Sequence, residues 1–137
     1  MRSPLLPLRA AIVSRCASDT PLAGLMGGTA AIHDEPPRGA PPLYALFGDV
    51  ELRDLSTSSG SGHEQDLSIL IWAKPGSAAT AIAVADRLLE LLDGAPLALS
   101  GQRLVSLSMT GLDARRDAET NLARVALRLR AVTEATA

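Results

Sequence analysis

The chain has 137 residues, 47% of them apolar, which fits one domain able to bury a core of its own. Its formal net charge of −2 gives no overall attraction to nucleic acid or to an anionic membrane, and its single cysteine, Cys16, excludes a disulfide framework and a cysteine-rich zinc site. Tyr44, Phe47 and Trp72 are its only aromatic residues, too few for a base-stacking platform.

At the start, Pro4, Pro7 and Arg9 interrupt the apolar run and Arg15 directly precedes Cys16, so the pattern is not that of a signal peptide. No stretch approaches the 18 or so apolar residues of a membrane span. Leu5, Leu8, Ile12 and Cys16 recur at helical spacing and predict a helix over residues 5–17, with Cys16 in the core. Asp19-Thr20-Pro21 caps a short second helical turn through Leu25, ended by Gly27-Gly28. Residues 32–42 form an irregular connection bounded by prolines, which cannot donate to a strand ladder.

Residues 43–48 alternate and predict a short strand, and residues 49–55 extend it or begin its partner. Next comes a Ser, Gly and Thr stretch made of Ser56, Thr57, Ser58, Ser59, Gly60, Ser61, Gly62, His63 and Glu64, expected to be a flexible loop. The centre of the chain is residues 65–94. Leu67, Ile69 and Ile71 take one side of a strand and Leu70 and Trp72 the other; Lys74-Pro75-Gly76 breaks it. Ser77 is placed to cap a helix over residues 77–92, about 24 Å long at 1.5 Å per residue, whose apolar stripe is Ile82, Ala85, Leu88, Leu89 and Leu92.

After a turn over residues 95–101, residues 103–109 alternate with Val105, Leu107 and Met109 on one face, and residues 112–121 read as a charged hairpin connection. The last strand, residues 122–132, turns Ala123, Val125, Leu127, Leu129 and Ala131 inward and Arg124, Arg128 and Arg130 outward, an exposed basic row. The expected fold is α+β: a mainly antiparallel or mixed sheet of four to five strands, with the central and N-terminal helices packed on it.

No nucleophile elbow, HExxH, dinucleotide fingerprint or CxxC is present. His33-Asp34 and His63-Glu64 are the only pairs that could imitate catalytic groups, and both sit in loop-like surroundings. The expectation is a protein that is not an enzyme and uses no cofactor and no metal; the alternative is a small stand-alone binding or enzymatic domain with a cleft near His33 and His63.

The order of signals also resembles a known family. His33-Asp34, Pro37-x-Gly39-x-x-Pro42, the Ser-Thr loop with its acidic-His pair, and a strand ending in Ile71-Trp72 are followed by residues 88–93, Leu97-x-Leu99-x-Gly101, Leu104-Val105, Arg116-Asp117 and Arg130-Ala131-Val132-Thr133-Glu134. Together they are similar to the tail terminators, or tail-completion proteins, of long-tailed phages and phage-derived gene transfer agents, over roughly residues 5–134. The resemblance implies a structural, non-enzymatic protein that forms a ring, typically a hexamer, at the head-proximal end of a tail tube. There it would end tube polymerisation and join tail to head, with copies of itself, the tail tube protein and a head–tail connector protein as partners. It implies assembly in the host cytoplasm and a final place in the particle, with no specific nucleic-acid readout and no membrane. In such a ring, Leu70 and Trp72, left uncovered by the helices, are the expected subunit contact, and the loop over residues 56–64 the expected contact with the tube or a neighbouring ring.

Overall fold

A computed structural model describes residues 3–39 and 42–136; Ala40 and Pro41 of the proline-bounded connection lie outside the described residues, as do Met1, Arg2 and Ala137. The elements are α1 (Leu5–Ala17), α2 (Thr20–Leu25), β1 (Ile32–His33), β2 (Tyr44–Asp54), β3 (Gly62–Ala73), α3 (Ala78–Leu92), β4 (Ala98–Leu99), β5 (Gln102–Arg116) and β6 (Ala123–Ala135). The strands form one sheet in the order β1-β2-β3-β6-β5-β4, with β1 parallel to β2 and every other pair antiparallel. This is the expected α+β fold, with six strands where four to five were expected because β1 and β4, two residues each, are too short to show a period.

At the centre, β3 lies against β6 and burial alternates without a break along β3. Leu67, Ile69 and Ile71 therefore face the same side as Val125, Leu127, Leu129 and Ala131, and all seven are buried. The helices cover this side, α3 on β3, β6 and β5, with α1 and α2 against α3. Burying a large aliphatic side chain stabilises by roughly 1.5–3 kcal/mol, so the sandwich of α3 on the β3–β6 pair is the main source of stability. The buried residues of α3 are Ala81, Val84, Ala85, Leu88, Leu91 and Leu92. The buried stripe is thus rotated from the expected one: Ile82 is exposed and Leu89 half-buried. Ser77 is the N-cap residue of α3, as expected, but its side chain makes no capping bond.

Two further expectations are corrected. β5 runs to Arg116, so Leu112, Asp113, Arg115 and Arg116 belong to a strand and only residues 117–122 form the hairpin connection. Val105 is exposed because it is the extra residue of a bulge between Leu104 and Ser106, whereas Met109 keeps the phase of buried Leu107, opposite Leu129, and is nonetheless exposed; a second bulge follows between Met109 and Gly111. A third bulge, between Phe47 and Val50 in β2, includes Gly48, where an added Cβ would run into Ser68 Oγ and Leu70.

The sheet ends in two different turns. At one end, residues 55–61 join β2 to β3, closed by the Leu55 N–H bonded to the Gly62 carbonyl and by a Thr57–Gly60 bridge. At the other, Asp117 accepts from the Thr120 N–H (2.9 Å) and hydroxyl (2.7 Å), and Asn121 takes a φ of 61°.

Polar contacts fasten the helices. Asp19 caps α2 by accepting from the Leu22 N–H at 2.9 Å, and takes two bonds from Arg87 of α3, at 2.9 and 2.7 Å. Arg9 of α1 reaches Asp34 at 2.6 Å and lies over the Phe47 ring, 4.5 Å from its centroid. The Arg87 hydrogen bonds, helped by the Leu22 N–H, hold the Asp19 carboxyl below its ordinary value. Its stabilisation is therefore complete above the unfolded-state value of about 3.9 and is lost as pH falls through the lower folded-state value. Asp19→Asn keeps a capping side chain but removes the charge. We expect this variant to be less stable than wild type in denaturant titrations at pH 7, with the gap closing only below about pH 4; a gap unchanged down to pH 2 would show that Asp19 acts as a cap alone.

Candidate functional site

No described helix packs on the second face of the sheet, and its residues follow from strand alternation: Glu51 and Arg53 of β2, Glu64, Asp66, Ser68, Leu70 and Trp72 of β3, Arg124, Ala126, Arg128 and Arg130 of β6, and Asp113 of β5. This open face is concave. Asp49 and Glu51 from β2 and Thr110 from β5 flank Asp66, Ser68, Arg128 and Arg130 around a trough of about 660 Å³. Its lining mixes these charged and hydroxylated residues with Val50, Leu67 and Leu129.

The basic row is on this face, as expected, but each arginine is engaged by a carboxylate. Arg130 Nε lies 2.9 Å from Asp66, Arg128 pairs with Asp113, and Arg124 reaches Asp113 at 3.3 Å. Arg53 bridges Glu64 and Asp66. The paired arginines pull the carboxyls down: Asp66 through Arg130 and Arg53, Asp113 chiefly through Arg128. Phosphate recognition along a backbone depends on uncompensated Lys and Arg. Here the positive charge is neutralised within the sheet.

Leu70 and Trp72 lie at the other end of the same face, both half-buried. Cross-strand pairing sets Leu46 beside Leu70 and Tyr44 beside Trp72, with Ala126 and Arg124 on their other side. They form an apolar patch beyond the ion pairs. Tyr44 and Leu46 were legible as strand residues but not as members of this patch, since nothing in the sequence gives the register that joins them.

The loop expected over residues 56–64 divides. Ser56, Thr57, Ser58, Ser59, Gly60 and Ser61 are in the hairpin tip, whereas Gly62, His63 and Glu64 are the first residues of β3. His63 is buried on the helix side next to Thr133, and Glu64 is held by Arg53 on the open side. The notion of a cleft shared by the histidines is not met. His33 pairs with Leu46 and His63 with Asp54, eight residues further along β2, which is about 26 Å at 3.3 Å per residue. Among the described residues no cluster of three or more His, Cys, Asp or Glu side chains could hold a metal ion, and no helix is long and apolar enough to cross a membrane. Cys16 is buried, and desolvation pushes its thiol up to about 11, far from a nucleophile's range.

Beneath the helices lies a polar group that the sequence did not announce. Gln65 donates to the Pro4 carbonyl at 3.4 Å, and His63 Nδ1, Gln102 Oε1 and Thr133 Oγ1 are buried without a hydrogen-bond partner among the described residues. Their positions at the inward phase of three strands could be read only after the strand ends were known.

The family described as "Tail completion protein gp17" matches residues 10–134. Among solved structures, the chain is similar to one in "Virion of native gene transfer agent (GTA) particle", with a TM-score of 0.88 and 32% identity over 98% of this chain and 99% of that one. No curated protein matches it. With the family match running through every strand from β1 to β6, and a virion component sharing both fold and sequence over almost the full length, this chain belongs to the tail completion protein gp17 family, and its work is structural and not enzymatic.

Proposed function

We propose that this protein forms a ring, a hexamer, at the head-proximal end of a tail tube, where it ends tube polymerisation and joins the tail to the head. Its partners in this reading are further copies of itself, the tail tube protein and a head–tail connector protein; it assembles in the cytoplasm of the producing cell and ends in the particle. The observation that carries the reading is the 98% coverage of the chain by a component of a gene transfer agent virion. The physical features agree. The core is closed on one side by α3, the opposite side is left open with compensated charge, and a hairpin tip of Ser, Thr and Gly projects from one end.

In this reading the half-buried patch of Leu70 and Trp72 meets a neighbouring component of the ring, and the tip at residues 56–61 meets the tube or an adjacent ring. Specific interfaces typically bury about 800 Å² per partner around aromatic anchors, and Trp72 is the largest side chain on the open face. Repetition around a ring multiplies individually weak tip contacts.

Three outcomes are expected. Deleting the protein from a producing strain gives tails of uncontrolled length or tails unattached to heads in negative-stain images; normal gene-transferring or infectious particles would sink the proposal. Trp72→Ala leaves the subunit folded by circular dichroism and weakens the ring by light scattering, whereas unfolding of this variant would assign Trp72 to the subunit's own core. Replacing residues 56–61 with Asn-Gly, a turn suited to closing the Leu55–Gly62 rung, leaves folding and ring formation intact and abolishes tail capping. Normal capping by the shortened protein would reduce the tip to a connection.

A further inference from the structure

Residues 104–112 of β5 read Leu-Val-Ser-Leu-Ser-Met-Thr-Gly-Leu, with no charged residue and no proline in a chain that is 20% charged. One side of β5 pairs with β6; on the other, β4 pairs only with Gln102 and Arg103. Val105, Met109 and Leu112 are exposed on it. An uncharged, proline-free run of this kind along a sheet edge is the pattern that pairs with extended chains and seeds aggregation. The opposite edge is built otherwise. β1 pairs only with Ala45 and Leu46 of β2, but residues 47–54 carry Asp49, Glu51, Arg53 and Asp54 and a bulge between Phe47 and Val50, and both charge and bulge discourage pairing.

It is the uncharged edge that the chain covers. α3 ends at Leu92, Asp93 is its C-cap residue, and Gly94 turns the backbone with a φ of 73°. The Gly94 N–H donates to the Leu107 carbonyl at 2.7 Å, and Asp93 Oδ1 accepts from the Met109 N–H at 2.9 Å. Leu107 C=O and Met109 N–H are two residues apart on one edge of the strand, the groups through which an added strand would bond. Two adjacent residues thus supply one donor and one acceptor to β5 without presenting a further edge. The bulges between Leu104 and Ser106 and between Met109 and Gly111 bracket the contact. The helix itself has no use for this carboxylate. Asp93 caps α3 through its backbone N–H, its side chain is exposed, and a negative charge is unfavourable at a helix C-terminus.

We infer that Asp93, with Gly94, is an edge guard: it occupies the Leu107 and Met109 backbone groups and blocks a second copy of this chain from pairing along residues 104–112. The segment best suited to pair there is the same uncharged run of another copy, which loss of the guard uncovers in both. The guard works alike whether or not copies form a ring, since it keeps one edge closed and leaves every face free.

The test compares variants at Asp93 with the unaltered protein by light scattering over a range of concentrations. D93A, which removes the acceptor, is expected to raise the weight-average mass about twofold or more as copies pair, increasingly with concentration. D93N keeps an acceptor oxygen and loses only the charge, so its mass stays that of the unaltered protein. D93A/M109P removes the donor at an edge position where proline is tolerated, and its mass returns to the unaltered value. A folded D93A with unaltered mass at every concentration overturns the guard. So does association of D93N, which would make charge the barrier, or of D93A/M109P, which would place the contact elsewhere. Should D93A not fold, D93S, whose oxygen stops one bond short of the amide, takes its place under the same criteria. Hydrogen exchange of the unaltered protein adds an independent reading: slow exchange of the Met109 and Gly94 amides is expected, and fast exchange at either overturns the inference.

Discussion

The twelve-row register between β3 and β6 is the constraint on which the rest of the molecule depends. Side chains alternate with a period of two, so a slip of one residue would carry the inward set of one strand, Ile69 and Ile71 or Leu127 and Leu129, to the open face and bring Asp66 or Arg130 under α3. The same rows that set the core also set the charges: Asp66 stands opposite Arg130 only in this register. Hydrophobic burial on one face and ion pairing on the other therefore select one alignment jointly. The bonds from Arg87 to Asp19 then tie α3 to the start of α2, so the helical layer and the sheet hold each other in place.

What was legible in the sequence was what repeats over a long enough span. α1, α2 with its Asp19 cap, and the alternation of β3 and β6 are stated by local chemistry, because each is decided by neighbours within a few residues. The buried stripe of α3 is rotated from the one its large side chains predict, because Ala81 and Val84 take inward positions while Ile82 faces solvent. β5 is longer than its alternation predicts for a different reason. Asp113, Arg115 and Arg116 look like a solvated turn when read along the chain, and only a partner strand supplying Arg124 and Arg128 makes a charged strand stable there. Its two bulges also break the period on which a strand is recognised.

The candidate site was less legible than the fold, since it consists of relations between distant residues. The basic row of β6 was visible, but Asp66, which binds Arg130, is 64 positions away in the chain. Its neutralisation changes what the surface is for. Uncompensated, three arginines on one strand face would hold a polyanion; paired, they stiffen a sheet and leave a face of low net charge. His63 shows the reverse case, a residue that looked solvent-facing in a Ser-Gly context and is buried because β3 begins at Gly62.

The two ends of the β3–β6 pair are chemically unlike, and that asymmetry has a mechanical meaning. At one end is a tip of small hydroxylated residues closed by the Leu55–Gly62 bond and the Thr57–Gly60 bridge; at the other, an acidic turn held by Asp117 and Thr120. Copies placed side by side without inversion would set every tip on one rim and every Asp117 turn on the other, making a washer with a hydroxylated rim and an acidic one. Such a washer is vectorial. If the subunits form the proposed ring, a tube seated on one rim would find on the far rim a surface unlike the one it docked on, and the direction of the assembly would be set by the two ends of a single pair of strands.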